Sequence, residues 1–197
     1  MPLLAANLTD GDVVIEWVIA AGRNAVWASL TDPDAMTAWL GTPSVAEIRP
    51  GGMLIVDHGG GYSCQSTVRE VETQGRFALS WQFPDEHETG VLFELTDTDF
   101  ASPDVGCQLT LRHSQLGALA ESYRIGWTVH LTYLEAEVHG HPIPISQFWN
   151  LHATLNELSS AEGVISRPAR SSRPVAGGRP RPQPKRPVAD IVGEQRG

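Results

Sequence analysis

The chain has 197 residues, a length that suits one domain of ordinary size with a tail. Residues 1–163 hold 21 acidic and six basic side chains, a formal charge of −15, whereas residues 164–197 hold two acidic and eight basic ones, a charge of +6. The acidic part lacks the basic face that phosphate binding needs, so we expect no nucleic-acid partner for the folded body. No apolar run approaches the ~20 residues of a membrane span, and neither an export signal nor a disulfide framework is apparent, so we expect a cytoplasmic protein.

The first predicted elements are one strand and two short helices. Apolar and polar side chains alternate over residues 12–20, which predicts a strand with one apolar face. A short helix is predicted next over residues 24–30. Asp32 can cap a second helix that begins at Pro33, because its carboxylate can accept from the free backbone N–H groups of the first turn, and Gly41 ends that helix.

Short alternating stretches then predict a series of antiparallel strands. Glycine-rich turns at residues 49–52 and 59–61 separate the early ones, since glycine adopts the positive φ that tight hairpins need. Residues 84–90 and 97–106 have the composition of loops. The predicted strands span residues 44–48, 53–58, 62–72, 76–83, 91–95 and 107–113.

After residue 117 the apolar residues recur with the period of a helix. The stripe predicts one long helix over residues 118–138, followed by a break at residues 139–144 and a last helix over residues 145–158. The stripe consists of Trp127, Leu131, Leu134 and Val138. We therefore predict an α+β fold, in which a curved antiparallel sheet of about six to seven strands wraps around the long C-terminal helix, with two short helices after the first strand.

Three segments follow from this pattern. We predict a folded domain over residues 11–140, an additional helix over residues 141–163 packed on it, and a tail over residues 164–197. The tail has no aromatic residue and cannot bury enough apolar surface to offset its chain entropy, so we predict that it is disordered. Its residues 184–187 have the PxxP form that favours polyproline II and could dock into a protein partner, although a solvated extension is the simpler interpretation.

Six short motifs occur in an order and at a spacing that match a known superfamily. They are Val26–Pro33, Trp39–Gly41, Arg49–Gly52, Leu79–Trp81, Leu109–His113 and Gly126–Trp127. Together they resemble the START-like (SRPBCC, helix-grip) superfamily, and within it the group similar to the C-terminal domain of the activator of Hsp90 ATPase. The resemblance covers residues 11–140 and implies the helix-grip fold. Members of this superfamily bind lipids, sterols, polyketides and plant hormones, and some act as cyclases or aromatases, so the resemblance implies a cavity for a small molecule.

Large apolar side chains are the candidates for lining such a cavity, because aromatic rings are bulky, rigid and able to stack on a ligand. The alternative is that the same side chains simply fill the core. The predicted lining residues are Trp39, Trp81, Phe83, Phe93, Trp127 and Leu131.

Residues that could carry chemistry are few. His113 and His130 could act as general acid or base next to a cavity, although a hydrogen-bonded structural histidine is the simpler interpretation of each. His139 and His141 fit a helix-ending turn better than a metal site, since two imidazoles with no cysteine or carboxylate cluster are insufficient. Nucleophile-elbow, phosphate-loop and dinucleotide motifs are missing from the sequence, so we predict no metal and no cofactor.

The function that the sequence favours is binding of a hydrophobic or amphipathic small molecule. One alternative is an enzyme of the cyclase or isomerase type that uses a cavity histidine. Another is an Hsp90-activator-like or other protein-interaction module, although the acidic body is a poor match for a basic client-facing surface. The absence of a clear acid–base pair favours binding over catalysis.

Overall fold

The computed structural model describes residues 3–98 and 106–165, so the predicted tail and the middle of the 97–106 loop lie outside the described residues. Its strands are β1 (Leu3–Thr9), β2 (Asp12–Ile19), β3 (Thr42–Ala46), β4 (Met53–Asp57), β5 (Ser63–Glu72), β6 (Arg76–Trp81), β7 (Thr89–Asp97) and β8 (Cys107–Ser114). Its helices are α1 (Arg23–Thr31), α2 (Pro33–Trp39), α3 (Ala120–Val138) and α4 (Phe148–Ile165). None of these helices combines the length and the apolar content that crossing a bilayer requires.

The strands form one antiparallel sheet in the order β1-β2-β8-β7-β6-β5-β4-β3. The sheet curves around α3, so the predicted α+β helix-grip fold is confirmed. In β2 every second residue is buried, as the alternation predicts, and these residues face the core. The indole Nε1–H of Trp17 donates to Oε2 of Glu135 at 3.0 Å, which joins β2 to α3 by a polar contact as well as by packing.

The two short helices lie where they were predicted, with α1 one residue longer at each end. The side chain of Asp32 accepts from the backbone N–H of Asp34 at 2.9 Å, and Pro33 occupies the first turn of α2, where its missing N–H leaves no bond unmade. Gly41 follows α2 with a φ of 148° and directs the chain into β3. The turn therefore brings the end of α2 against the end of β4, near the site described below.

Helix α3 is buried over a wider face than the predicted stripe. Besides that stripe, the helix buries Ile125, Val129 and Tyr133, which lie one turn apart along it. The reason is that β2 packs against α3 on one side while α1, α2 and α4 pack against the others. Helix α4 covers part of α3 and places Phe148 and Leu151 against the core.

The sheet has one strand more than the sequence analysis predicted, because β1 was missed. This edge strand has no clean alternation, and two of its leucines, Leu4 and Leu8, are about half exposed. The turn that follows it carries a signal that could have revealed the hairpin. Asp10 and Gly11 both have positive φ, at 52° and 85°, as a two-residue type I′ turn requires, and Asp-Gly is a favoured sequence for that turn.

The adjacent turn glycines between β3 and β4 give a paired prediction. A Cβ added at Gly52 would lie 2.1 Å from the carbonyl oxygen of Glu47, so Gly52→Ala must displace backbone and is expected to lower the free energy of unfolding by about 2–4 kcal/mol. Gly51 has a φ of 78° but open space around its Cβ position, so Gly51→Ala is expected to lower it by about 1–2 kcal/mol. Urea unfolding of both variants measures which one loses more stability. A larger loss of unfolding free energy for Gly51→Ala than for Gly52→Ala would contradict this account.

Candidate functional site

A cavity of about 600 Å³ opens between the sheet, α3 and the start of α4. The end of α2 and the glycine turn between β4 and β5 complete its wall. Its aromatic side chains are Tyr62, Trp81, Phe83, Tyr123, Trp127, Phe148 and Trp149. Its ionisable and hydroxyl side chains further include Thr37, Thr42, Asp57, His58, Glu86, Ser122, His130 and His152.

Three of the six predicted lining residues are in this wall, namely Trp81, Phe83 and Trp127. The rings of Trp81 and Trp127 lie 5.1 Å apart between centroids, so the strand and the helix meet at this point. The other three predicted lining residues, Trp39, Phe93 and Leu131, are buried in the core outside the wall.

Trp39 shows why a residue of the right type lies outside the wall. Its indole Nε1–H donates to the backbone carbonyl of Ser29 at 2.8 Å, which turns the ring toward α1. There it packs edge-to-face on Phe93, with the ring centroids 6.2 Å apart. Trp39 therefore packs within the core and is not among the residues that line the cavity.

Several lining residues were missed by the sequence analysis. Tyr123 is one of them, and it lies at position i of α3 with the predicted Trp127 and His130 at i+4 and i+7, so the helical period carried a signal for it. Phe148 and Trp149 come from α4, and their contribution depends on how that helix packs. No periodicity within α4 could have shown which of its residues reach the cavity.

His113 is fully buried and does not belong to the cavity wall. The indole Nε1–H of Trp127 donates to Nδ1 of His113 at 2.9 Å. Because an indole nitrogen only donates, Nδ1 of His113 carries no proton. Its Nε2 therefore carries the proton and donates to Oγ1 of Thr89 at 2.7 Å, and that hydroxyl donates to the carbonyl of Trp81 at 2.9 Å. Burial lowers the pKa of His113 to about 3, so the ring is neutral and positions Trp127.

His130 is the candidate histidine that reaches the cavity wall. Its Nδ1 lies 2.7 Å from the carbonyl oxygen of Trp39, and because a carbonyl only accepts, Nδ1 carries the proton. The lone pair of Nε2 is then left for a hydrogen bond from a ligand. Burial and the nearby imidazole of His58 lower the pKa of His130 to about 3.

Two further imidazoles complete this side of the cavity. The ring of His58 lies 5.7 Å from that of His130, and burial lowers the pKa of His58 to about 4. Burial also lowers the pKa of His152 on α4. The cavity therefore carries neutral histidines at pH 7, each of which has one N–H donor and one accepting nitrogen and supplies no positive charge.

The tyrosine hydroxyls at the cavity already donate hydrogen bonds to carboxylates. The hydroxyl of Tyr123 donates to Oε2 of Glu86, and that of Tyr62 donates to Oδ1 of Asp85 at 2.5 Å. Burial and these neighbouring carboxylates raise the pKa of both tyrosines, so both hydroxyls stay protonated. They fix the loop between β6 and β7 against α3 and against the β4–β5 turn.

Within residues 3–98 and 106–165 no group of three or more His, Cys, Asp or Glu side chains is placed to hold a metal ion. Cys64 and Cys107 are separate buried thiols, and burial raises their pKa to about 12 and about 11. His139 and His141 lie in the turn that ends α3, where Gly140 has a φ of 72°.

Comparison with known proteins agrees with this architecture. A family model described as activator of Hsp90 ATPase homolog 1-like protein matches residues 20–139. The crystal structure of CalU16 from Micromonospora echinospora is 20% identical, with a TM-score of 0.60 over 80% of this chain and 93% of that chain. DynU16, from the dynemicin biosynthetic locus, is 25% identical, with a TM-score of 0.59 over 68% of this chain and 49% of that chain.

A short stretch of the sequence is also similar to a protein described as a "Putative antitoxin". Over 55 residues it is 53% identical to "Putative antitoxin VapB45" of Mycobacterium tuberculosis, strain CDC 1551 / Oshkosh. The matched stretch makes up 27% of this chain and 36% of the length of that curated relative. The similarity is therefore local and leaves most of the cavity-forming fold unmatched.

Proposed function

This chain belongs to the activator of Hsp90 ATPase homolog 1-like family, as the motifs of its sequence predicted, and from that membership we propose that it binds one small apolar or amphipathic molecule between its sheet and α3. The observation that carries the proposal is the aromatic-walled cavity of about 600 Å³. That volume lies within the ~300–1,000 Å³ typical of small-molecule sites. Trp81, Phe83 and Trp127 contribute apolar wall against which a planar or ring-containing body can pack.

The hydrogen bonds around the cavity support a pre-formed site. His113 holds the indole of Trp127, and Thr89 connects that histidine to the backbone of Trp81. The indole of Trp127 and the backbone of Trp81 are therefore both held by hydrogen bonds behind the wall. A site whose walls are already ordered loses less conformational entropy when a ligand enters it.

Helix α4 contributes to this site although it lies beyond the part of the chain that the family model matches. Ile145, Phe148, Trp149 and His152 line the cavity, whereas the match ends at residue 139. Trp149 is 65% exposed, which is unusual for so large an apolar side chain and fits a position at the mouth. We therefore include the additional helix, predicted over residues 141–163, in the ligand-binding unit.

Titration with N-phenyl-1-naphthylamine, a neutral apolar fluorophore, tests the proposed function. Its emission rises when it leaves water, so we expect a saturable rise with one site per chain, accompanied by quenching of tryptophan emission because three tryptophans line the cavity. A linear rise with no saturation, or saturation without any change in tryptophan emission, would show that the cavity is not the binding site.

Acid–base catalysis is the second candidate, since the Nε2 lone pair of His130 is left for a ligand. A catalytic imidazole works best when its pKa lies near the working pH, and burial holds the pKa of His130 at about 3 and that of His58 at about 4. These lowered pKa values favour a hydrogen-bonding role for both histidines over proton transfer. Binding is therefore the better-supported function.

A protein-interaction role has less support. The resemblance to VapB45 covers 27% of the chain, and the name of that protein describes the whole of it. The PxxP stretch at residues 184–187 remains a prediction, because it lies outside the described residues. We accordingly propose a small molecule as the principal ligand and leave a partner for the tail as a prediction.

A further inference from the structure

The acidic side chains of the cavity have no positive partner among the described residues. Glu86 and Asp57 line the cavity, and neither forms an ion pair with a described arginine. The wall formed by the described part of the chain contains no lysine or arginine. Arg69 pairs with Glu88, two residues after Glu86, at 2.7 Å, and neither Arg69 nor Glu88 lines the cavity.

The carboxylates of Glu86 and Asp57 can each accept further hydrogen bonds. Glu86 is half-buried and accepts one hydrogen bond, from the hydroxyl of Tyr123. Asp57 accepts one from the backbone N–H of Gly59 at 2.7 Å. A carboxylate offers about four lone-pair sites, so a donor on a ligand can still bind to either group.

The remaining polar groups of the wall add donors as well as acceptors but no positive charge. His130 offers the lone pair of Nε2, because its Nδ1–H already donates to the carbonyl of Trp39. The tyrosine hydroxyls donate to Glu86 and Asp85 and so are not left to stabilise an anion. A carboxylate-bearing ligand would therefore meet like charges and no cation among the described lining groups, which is unfavourable in a site partly removed from water.

The aromatic wall favours the opposite charge. The face of an aromatic ring is negative, and a cation within ~6 Å of its centroid is attracted, most strongly by tryptophan. Trp81 and Trp127 meet at the centre of this wall with Phe83 beside them, since the rings of Trp81 and Phe83 lie 6.0 Å apart. Glu86 and Asp57 line the same cavity as these rings, so the cavity combines the two kinds of group that attract an alkylammonium ion.

From these observations we propose that the cavity is selective for organic cations, that is, molecules with an apolar or aromatic body and a protonated amine, and that it rejects carboxylates of the same shape. The proposal rests on the proposed function, because it concerns the ligand class of the same cavity. It assigns to Glu86 the main contact with the ammonium group, since that carboxylate lies on the loop fixed against α3 by Tyr123.

A matched set of naphthalenes tests the charge preference on the full chain. At pH 7.5, 2-naphthylmethylamine is a cation, 2-naphthylmethanol is neutral and 2-naphthoate is an anion, while the ring system is the same. We expect the amine to displace N-phenyl-1-naphthylamine at a concentration at least about tenfold lower than the naphthoate needs, with the alcohol in between. Displacement by the naphthoate at the same or a lower concentration than the amine would overturn the proposal.

Replacing the charged Glu86 by a neutral side chain tests whether this carboxylate causes the preference for the amine. Glu86→Gln keeps the size of the side chain and can still accept from Tyr123, so we expect the ratio of amine to alcohol affinity to fall to about one. Glu88→Gln is the matched control, because it removes the same charge two residues further along the same loop at a side chain outside the cavity. Equal falls in the two variants would mean that net charge alone sets the ratio and would overturn the assignment to Glu86.

The two proposals fail in different ways. If the neutral fluorophore does not bind, the proposed function is wrong. If the fluorophore binds and the three naphthalenes displace it equally well, the cavity is a ligand site without charge selectivity, and the cation proposal alone is wrong. Thermal unfolding of both glutamine variants checks folding, and Asp57→Asn replaces Glu86→Gln if the latter is not folded.

Discussion

Gly126→Leu is expected to weaken binding of N-phenyl-1-naphthylamine strongly while leaving the protein folded and at least as stable. Gly126 lies within α3 and lines the cavity, and a Cβ placed there meets no heavy atom within 4 Å. A leucine side chain would therefore enter the open space without displacing backbone. Glycine inside a helix is about 1 kcal/mol less favourable than alanine, so the substitution also removes a local destabilising feature.

Gly126→Ala is the matched control for this variant. It gains the same helix propensity but adds a single methyl group to a cavity of about 600 Å³, so its affinity for the fluorophore should stay close to that of the unmodified chain. Calorimetric Tm values and fluorescence titrations of the three proteins provide the comparison. Retained affinity in a folded Gly126→Leu variant would show that the ligand binds elsewhere.

Mild acid is expected to destabilise the fold steeply between pH 6.5 and about 4. Burial lowers the pKa of His58 to about 4 and that of His113 and His130 to about 3, whereas an unfolded histidine has a pKa near 6.5. Above pH 6.5 both states are neutral. Below it the unfolded chain takes up protons that the folded chain excludes, so the free energy of unfolding falls as pH falls until the folded pKa values are reached.

The expected size of this effect is large compared with ordinary domain stability. Each of the three histidines accounts for up to about 2 kcal/mol at pH 5, or ~3–6 kcal/mol together after allowance for partial exposure of two of them. Typical domains have ~5–15 kcal/mol in total. Urea unfolding at pH 7.5, 6.5, 5.5 and 5.0 measures the slope, and a free energy of unfolding that stays constant over this range would contradict the account.

A single substitution isolates the histidine contribution to the pH dependence of the free energy of unfolding. His113→Gln removes one of the three buried titrating groups, so the fall in stability between pH 6.5 and 5.0 should shrink by about a third, whatever the substitution does to stability at pH 7.5. His141→Gln is the control, because the same change is made at an exposed side chain in the turn after α3. His58→Gln serves the same purpose if His113→Gln is too unstable to measure.

The fold was largely predictable because its elements carry local signals. Asp32 and Pro33 mark the start of α2, and the alternation of β2 marks a strand whose inner face is buried. Strand β1 was missed because an edge strand with half-exposed leucines has no such alternation. The Asp-Gly turn was the remaining signal, and it acts through backbone conformation rather than through hydrophobicity.

The site was predictable only in part because its geometry depends on contacts between distant segments. Periodicity places Trp127 on the buried face of α3, but the tautomer of His113 follows from Thr89, 24 residues away, and from Trp127, 14 residues away. Trp39 has the residue type of a lining group, yet its bond to the carbonyl of Ser29 turns it into the core. Residue type and spacing predict what a side chain can do, and packing decides which space it faces.

The indole N–H signals of the tryptophans offer the most direct test of the cavity as the ligand site. The chain has six tryptophans, of which Trp81, Trp127 and Trp149 line the cavity, whereas Trp17 and Trp27 lie outside its wall. Titration of the ¹⁵N-labelled full chain with 2-naphthylmethylamine should shift the signals of those three lining residues along one saturable curve and leave Trp17 and Trp27 in place. Saturable shifts confined to Trp17 or Trp27, or no shift at a concentration that displaces the fluorophore, would contradict the account.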